Sequence, residues 1–259
     1  MSLIKKIQDR SKVFEEIIEA CQYILNKDDI AVNARTYLNS RLTSDAQNKY
    51  QFGYFPQDNH LQQLYSLGIK KDILEKLYLL YPKYVSGIKI NHGHFHNHNL
   101  IMPFRDPYGN IISLLGRTLS NDDSVQKYKY TINAKKDLYV FGLNNSRKHI
   151  IKKNLVICVE GQFDYIACNE AGIHNCIAFG WANMSKYQFF ALNRYTNNFL
   201  LLMDNDDAGK KARIKIKDMY SKYVNIKNVY VPNDYKDIDE CLRNDNSKDD
   251  IVKWLKGIS

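Results

Sequence analysis

Three groups of acidic residues occupy the second half of this 259-residue chain, each just beyond an apolar run. Glu160 and Gly161 follow the run from Leu155 to Val159, with Asp164 one helical turn further on. Asp204-Asn-Asp206 follows the run from Phe199 to Met203, and Asp237 and Asp239 come after Pro232 in Lys236-Asp-Ile-Asp-Glu240. Carboxylates brought together repel one another and are costly to hold unless a cation sits among them. Hard oxygen donors with open positions suit Mg²⁺ or Mn²⁺, ions that bridge protein to phosphate. A single acid after a strand usually caps a helix or faces water. Three such groups meeting in an otherwise basic chain favour the metal reading.

They meet if the elements alternate, and the sequence from Asn154 onward alternates regularly. Leu155 to Val159 reads as a buried strand, followed by a helix to about Ala171. Asn175 to Ala178 is a strand, Ser185 to Arg194 a helix, Phe199 to Met203 a strand, Ala208 to Tyr220 a helix and Asn228 to Val231 a strand. Strands and helices in this rhythm imply right-handed crossovers and a doubly wound parallel sheet, whose ligands bind beyond the carboxyl ends of the strands. All three acidic groups are expected at that edge.

The first half reads as a separate α+β subdomain. Ile4, Ile7, Phe14, Ile17, Ile18, Cys21, Ile24 and Leu25 recur at three- and four-residue steps and predict an opening amphipathic helix. Helices are expected around Asn33 to Leu38 and over Lys71 to Leu80, the latter stopped by Pro82. Asn99 to Phe104 and Ile111 to Leu115, joined by Asp106-Pro-Tyr-Gly109, predict a hairpin. The division is placed near Lys148 to Lys153, giving domains 1–150 and 151–259, with a short helix near Trp254 at the end.

Composition sets the class of partner. The chain is 44% hydrophobic and 25% charged, with 37 Lys and Arg against 28 Asp and Glu, a net charge of +9 and a pI of about 9.1. The surplus favours a polyanion. Five cysteines without CxxC spacing suggest free thiols in a reducing compartment, and no zinc site is expected from them. No apolar segment follows Lys5 and Lys6 as a signal peptide would require, and no run is long enough to span a bilayer. A soluble, cytoplasmic protein without a membrane partner is expected.

The acidic motifs carry a resemblance. Val159-Glu-Gly-Gln-Phe-Asp164, followed by Asp204-Asn-Asp206 and Ala208-Gly209, resembles the EGxxD and DxD signature of the Toprim domain. That domain is shared by bacterial primases, type IA and II topoisomerases, and some nucleases and recombination proteins. Ala34-Arg-x-Tyr-Leu-x-x-Arg41 and Lys49-Tyr-Gln-Phe-Gly-Tyr-Phe-Pro56 resemble the start of the DnaG-type primase core. Ile101 to Gly109 is similar to its "FPIRD..G" strand pair, Leu115 to Leu119 to "GGRVL", and Gln126-Lys-Tyr128 to "PKY". Asp137 to Gly142 is similar to "LYGL" and Lys236 to Leu242 to "DPDEFL". The matches run in order from about Ala34 to Leu242, whereas topoisomerases and nucleases would share the second half alone.

The resemblance implies a core that makes short RNA primers on single-stranded DNA from ribonucleoside triphosphates. Glu160, Asp204 and Asp206 would be catalytic and, with Asp164, Asp237 and Asp239, would hold two or more Mg²⁺ or Mn²⁺ ions. Lys49, Arg105, Arg117, Lys127 and Lys135 would grip template or nucleotide phosphates; each is equally readable as solvated surface except Arg117, which ends an apolar strand run where a charge needs a reason. The alternatives are a Toprim nuclease and a non-catalytic single-stranded-DNA-binding accessory protein. Two departures stand out: Asn205 replaces the usual glycine between the aspartates, and Ile238 replaces a proline. Asparagine is expected to keep the turn through its tolerance of the left-handed region. The family's zinc-ribbon and helicase-binding domains have no counterpart in the sequence, which suggests a phage or mobile-element protein in a bacterial host. A replicative helicase or a separate zinc-domain protein would then act in trans.

His92, His94, His96 and His98 alternate. In a strand they would form a flat stripe on one face, which cannot close a tetrahedral zinc site by itself. An exposed, histidine-rich hairpin edge, charged below neutral pH, is the expected outcome.

Overall fold

The computed structural model describes residues 3–120, 122, 124–180, 183–232, 235–243 and 248–258. The chain divides into two compact units, 1–105 with 110–134, and 106–109 with 135–259.

The first unit is built on α1 (Leu3–Lys27). Phe14, Ile17, Ile18, Cys21, Ile24 and Leu25 on its apolar stripe are at most 2% exposed, as the period of 3.6 requires. Ile7 is 36% exposed, and the side chain of Ile4 lies outside the described residues. Two short helices follow, α2 (Val32–Asn39) and α3 (Ser44–Lys49), the second capped by the Thr43 hydroxyl, which accepts from the Ala46 N–H at 3.2 Å. Then come β1 (Gly53–Tyr54), a 3₁₀ turn at Asp58–His60, α4 (Gln62–Ser66) and α5 (Lys71–Lys76). The expected helix to Leu80 ends early, because Tyr78 turns to φ 56° and the chain enters β2 (Leu80–Val85). Pro82 therefore sits in a strand rather than stopping a helix. This is tolerated because β2 pairs with β3 (Ile88–Gly93) alone and needs no donor on its other edge.

The predicted hairpin is present as β4 (Leu100–Arg105) and β5 (Ile111–Arg117), antiparallel with Met102 opposite Leu115. The Asp106 carboxylate accepts from the Tyr108 N–H at 2.8 Å, and Gly109 takes φ 96°. With β6 (Tyr128–Tyr130) they form the sheet β1-β4-β5-β6, against which α1 packs.

The second unit opens on α6 (Leu143–Lys153) and then alternates β7 (Val156–Val159), α7 (Gln162–Glu170), β8 (Cys176–Ala178), α8 (Lys186–Asn193), β9 (Asn198–Leu201) and α9 (Asp207–Tyr220). It continues through β10 (Asn225–Asn228), α10 (Ile238–Arg243) and α11 (Lys248–Ile258). The strands form a parallel sheet of order β10-β9-β7-β8, the doubly wound α/β arrangement expected. The last strand lies three residues earlier than expected. Pairing of Asn225 with Asn198 sets its register, and Val231 is buried in the loop beyond it. Phe189, stacked 4.2 Å from Tyr220, joins α8 to α9 in the core against β9.

Candidate metal-binding acidic site

From β7 the chain leaves to β8 on one side and later returns to β9 on the other. The paired carboxyl ends of β7 and β9 are thus a switch point in strand order, where α/β sheets bind ligands. Glu160 is the first residue past β7, and Asp204 comes three residues past β9.

Local chemistry fixes each acid. Asp206 caps α9, its carboxylate accepting from the Gly209 N–H at 2.9 Å. Gly209 packs against the Asp204 loop so closely that a Cβ there would lie 2.1 Å from the Asp204 carbonyl oxygen. Asp164, on the first turn of α7, is 7% exposed and bridges two loops. One of its oxygens accepts from the Gly161 N–H at 3.0 Å, the other from the Asp239 N–H at 3.2 Å. Asp239 is 1% exposed and accepts from Arg243 Nε at 3.1 Å. Asp237 caps α10 by accepting from the Glu240 N–H at 2.7 Å.

The six acids feel one another. Burial, then Glu160, Asp237 and Asp206, push the Asp204 carboxyl up to about 7, with Lys236 opposing. Burial, then Asp237, Asp204 and Asp239, hold Asp164 well above the carboxylate range. Mutual repulsion of this kind is what a divalent cation relieves, so the donor set fits one. Two cations of the protein also lie here. Lys236 Nζ is 3.9 Å from Asp206, and Arg213 on α9 is 2% exposed with its guanidinium 4.5 Å from the Tyr230 ring. Arg213 donates to the Met203 carbonyl and to Asn205 Oδ1. Sequence reasoning missed it, since an arginine on a basic helix reads as surface; its place one turn beyond Gly209 was the available signal.

Asn205 keeps the turn by another means than the one expected. It is not among the residues with positive φ. Its side-chain amide donates to the carbonyls of Val231 and Tyr235, both at 2.9 Å, and so ties the second acidic loop to the approach of the third.

The basic residues divide. Lys49 and Lys127 in the first unit and Lys135 in the second are exposed. Arg105 is engaged with Glu15, at 2.7 and 3.1 Å, and with Gln51. Arg117 is 8% exposed, its guanidinium 5.1 Å from the Tyr37 ring and 5.3 Å from that of Tyr128, donating to the Tyr128 hydroxyl at 2.8 Å. The five cysteines are free and buried.

A doubly wound sheet with this acidic edge defines a Toprim-type domain, and the comparisons agree. Residues 157–242 match the Toprim-like family model, and residues 22–146 match the DNA primase catalytic core, N-terminal domain. The chain belongs to the DnaG-type DNA primase family, with the N-terminal core domain followed by the Toprim domain. The DNA primase of Aquifex aeolicus is 28% identical over 247 residues, 93% of this chain and 48% of that protein. The DNA primase of Thermotoga maritima is 27% identical over 235 residues, 86% of this chain and 39% of that protein. The chain thus spans about half or less of these relatives. The fold is similar to that of part of the Aquifex aeolicus primase structure holding the zinc-binding and RNA polymerase domains, with TM-score 0.76 and 24% identity, covering 99% of this chain and 63% of that one. It is also that of the RNA polymerase domain of Mycobacterium tuberculosis primase DnaG, with TM-score 0.74 and 24% identity, covering 95% and 82%. A DnaG primase catalytic domain bound to single-stranded DNA superposes with TM-score 0.73 at 22% identity, covering 95% of this chain and 82% of that one. Among the described residues, no helix is long and apolar enough to cross a membrane.

Proposed function

We propose that this chain is the nucleotidyl-transfer core of a primase, joining ribonucleoside triphosphates into short RNA on single-stranded DNA. The observation that carries the reading is the convergence of Glu160, Asp164, Asp204, Asp206, Asp237 and Asp239 beyond the carboxyl ends of β7 and β9. It occurs in a chain whose first half matches the primase core model.

Glu160, Asp204, Asp206 and Asp237 would hold Mg²⁺ or Mn²⁺, two or more ions, and bound ions supply charge neutralisation to phosphoryl transfer. Asp164 positions the site by bridging the Gly161 and Asp239 N–H groups, and Asp239 is itself held by Arg243. Arg213 keeps a buried positive charge behind Asp204. Lys49, Lys127 and Lys135 are exposed, which suits non-specific contact with a phosphate backbone.

The test is incubation with single-stranded DNA, Mg²⁺ or Mn²⁺ and labelled ribonucleotides without primer. New short RNA is expected. Shortened DNA would instead mean a Toprim nuclease, and a gel shift alone a binding protein.

A further inference from the structure

The four alternating histidines do not form the flat, exposed stripe that their spacing suggests. Strand β3 ends at Gly93, and the chain then turns, with the His96 N–H donating to the Gly93 carbonyl at 3.1 Å and the His98 N–H to the Phe95 carbonyl at 2.8 Å. The turn sorts the imidazoles into two pairs. His94 and His98 are buried at 6% and 8% exposure, and their Nε2 atoms meet the carbonyls of Tyr130 and Gln126 at 2.8 and 2.7 Å. Burial lowers the His94 pKa to about 4, so it adds no charge near neutrality. His92 and His96 face the other way, toward Asp58 on the 3₁₀ turn Asp58–His60.

We propose that Asp58, His92 and His96 bind one divalent transition cation of zinc chemistry, separate from the acidic site of the second unit. His92 Nδ1 lies 2.6 Å from Asp58 Oδ2 and His96 Nδ1 lies 3.1 Å from Asp58 Oδ1, and one ligand atom from each residue falls within 4.8 Å of the others. In a tetrahedral zinc site with bonds near 2.0–2.1 Å, ligand atoms stand roughly 3.3 Å apart, inside that range. Two imidazole nitrogens and a carboxylate oxygen are borderline donors, which select zinc-like ions over magnesium.

The ligands are braced. The Gly93 N–H donates to Asp58 Oδ1 at 2.8 Å, and the Tyr81 ring meets His92 edge-on with centroids 5.2 Å apart. His96 Nδ1 is buried and within ion-pair distance of Asp58, yet it makes no hydrogen bond, which leaves its lone pair for the shared space. The His96 side chain is 36% exposed, so water can complete the fourth position. Such an ion would pin the Asp58 turn to the end of β3, which among the described residues belongs to a sheet of two strands. The competing account is a metal-free hydrogen-bond triad, which binds no zinc.

The experiment uses the full chain, stripped with chelator and kept in excess Mg²⁺ to occupy the acidic site, then titrated with Zn²⁺ by calorimetry and with Co²⁺ by visible absorption. One Zn²⁺ per chain is expected, with the intense bands of tetrahedral Co²⁺. His96→Gln, a change at a half-exposed ring, should weaken binding by about 100-fold, and His92→Ala with His96→Ala should abolish it. Glu160→Gln should retain it. No zinc uptake by the parent chain, uptake undiminished in the double variant, or uptake lost only with Glu160→Gln would each overturn the proposal. None of these outcomes bears on whether the chain makes primers.

Discussion

The buried guanidinium of Arg213 donates to Asn205 Oδ1 at 3.4 Å, so the residue that stands where the family usually has glycine is held by an arginine on the helix behind it. The same Asn205 donates to the Val231 and Tyr235 carbonyls. Two of the three acidic loops are thereby fastened to one cation; burial lowers its pKa, and Tyr230, Asp204, Glu160 and Asp206 oppose that.

Arg213→Met keeps the length and removes the charge. It strands Asn205 Oδ1 and the Met203 carbonyl, and it leaves Asp204 with less positive potential, raising that carboxyl further. A lower melting temperature is expected, together with a shift of the acid limb of the activity profile to higher pH. A melt lowered without any shift of the limb would reduce Arg213 to packing.

Glu160→Gln, Asp204→Asn and Asp206→Asn should each cost synthesis about 100-fold or more while the fold persists. The measurements are primer yield and a thermal melt. Near-parental synthesis by any of the three would show that its carboxylate is not needed by the cations.

Asp204 also predicts how stability should depend on pH. An acid whose pKa of about 7 in the folded chain exceeds its unfolded value, about 4, holds an extra proton only when folded. Without metal, its contribution to stability therefore falls as pH rises from about 4 to about 7 and stays low above. His94 runs the other way, because its pKa of about 4 lies below the ordinary 6.5, and its contribution is lost as pH falls through that interval. The comparison is therefore with Asp204→Asn. That variant should melt above the parent at pH 8 in chelator, by less at pH 5, and should gain less from Mg²⁺. A difference that does not vary with pH would contradict the repulsion.

The places of Glu160 and Asp204 were legible because each directly follows an apolar run, and strand ends set ligand sites in parallel sheets. The opening helix was legible from its stripe, and the hairpin from Asp106 and Gly109. What escaped was set by distant partners. Pro82 enters a strand because β2 has one free edge, and β10 takes its register from Asn198. Arg213 is buried because carbonyls and a tyrosine ring meet it. The histidines divide because Asp58, 34 residues away from His92, stands opposite two of them. The pairings of Asn225 with Asn198 and of His92 with Asp58 lie beyond any short window along the chain.

Arg117 and Lys127, both candidate phosphate contacts from the sequence, should behave differently. Arg117→Ala removes a guanidinium packed against Tyr37 and Tyr128 and should lower the melting temperature. Lys127→Ala removes an exposed charge and should lower the melt less while flattening the salt dependence of DNA binding by about one unit of slope. Unchanged binding by Lys127→Ala across a salt titration would return that lysine to solvated surface.

Gly209 supplies the last prediction. An added Cβ would sit 2.1 Å from the Asp204 carbonyl oxygen and 2.9 Å from its carbonyl carbon, backbone atoms that cannot swing aside as a side chain does. Gly209→Ala must therefore displace either the Asp204 loop or the first turn of α9, where the Asp206 carboxylate holds the Gly209 N–H. Both movements separate Asp204 from Asp206 without removing a carboxylate. Divalent-cation affinity, read by calorimetry with Mn²⁺, should fall by about 10-fold or more, and synthesis should fall with it. Gly257→Ala, where a Cβ meets nothing within 4 Å, is the matched control and should change neither. If Gly209→Ala binds Mn²⁺ as tightly as the parent, the close approach of helix and loop is not what sets the acidic site.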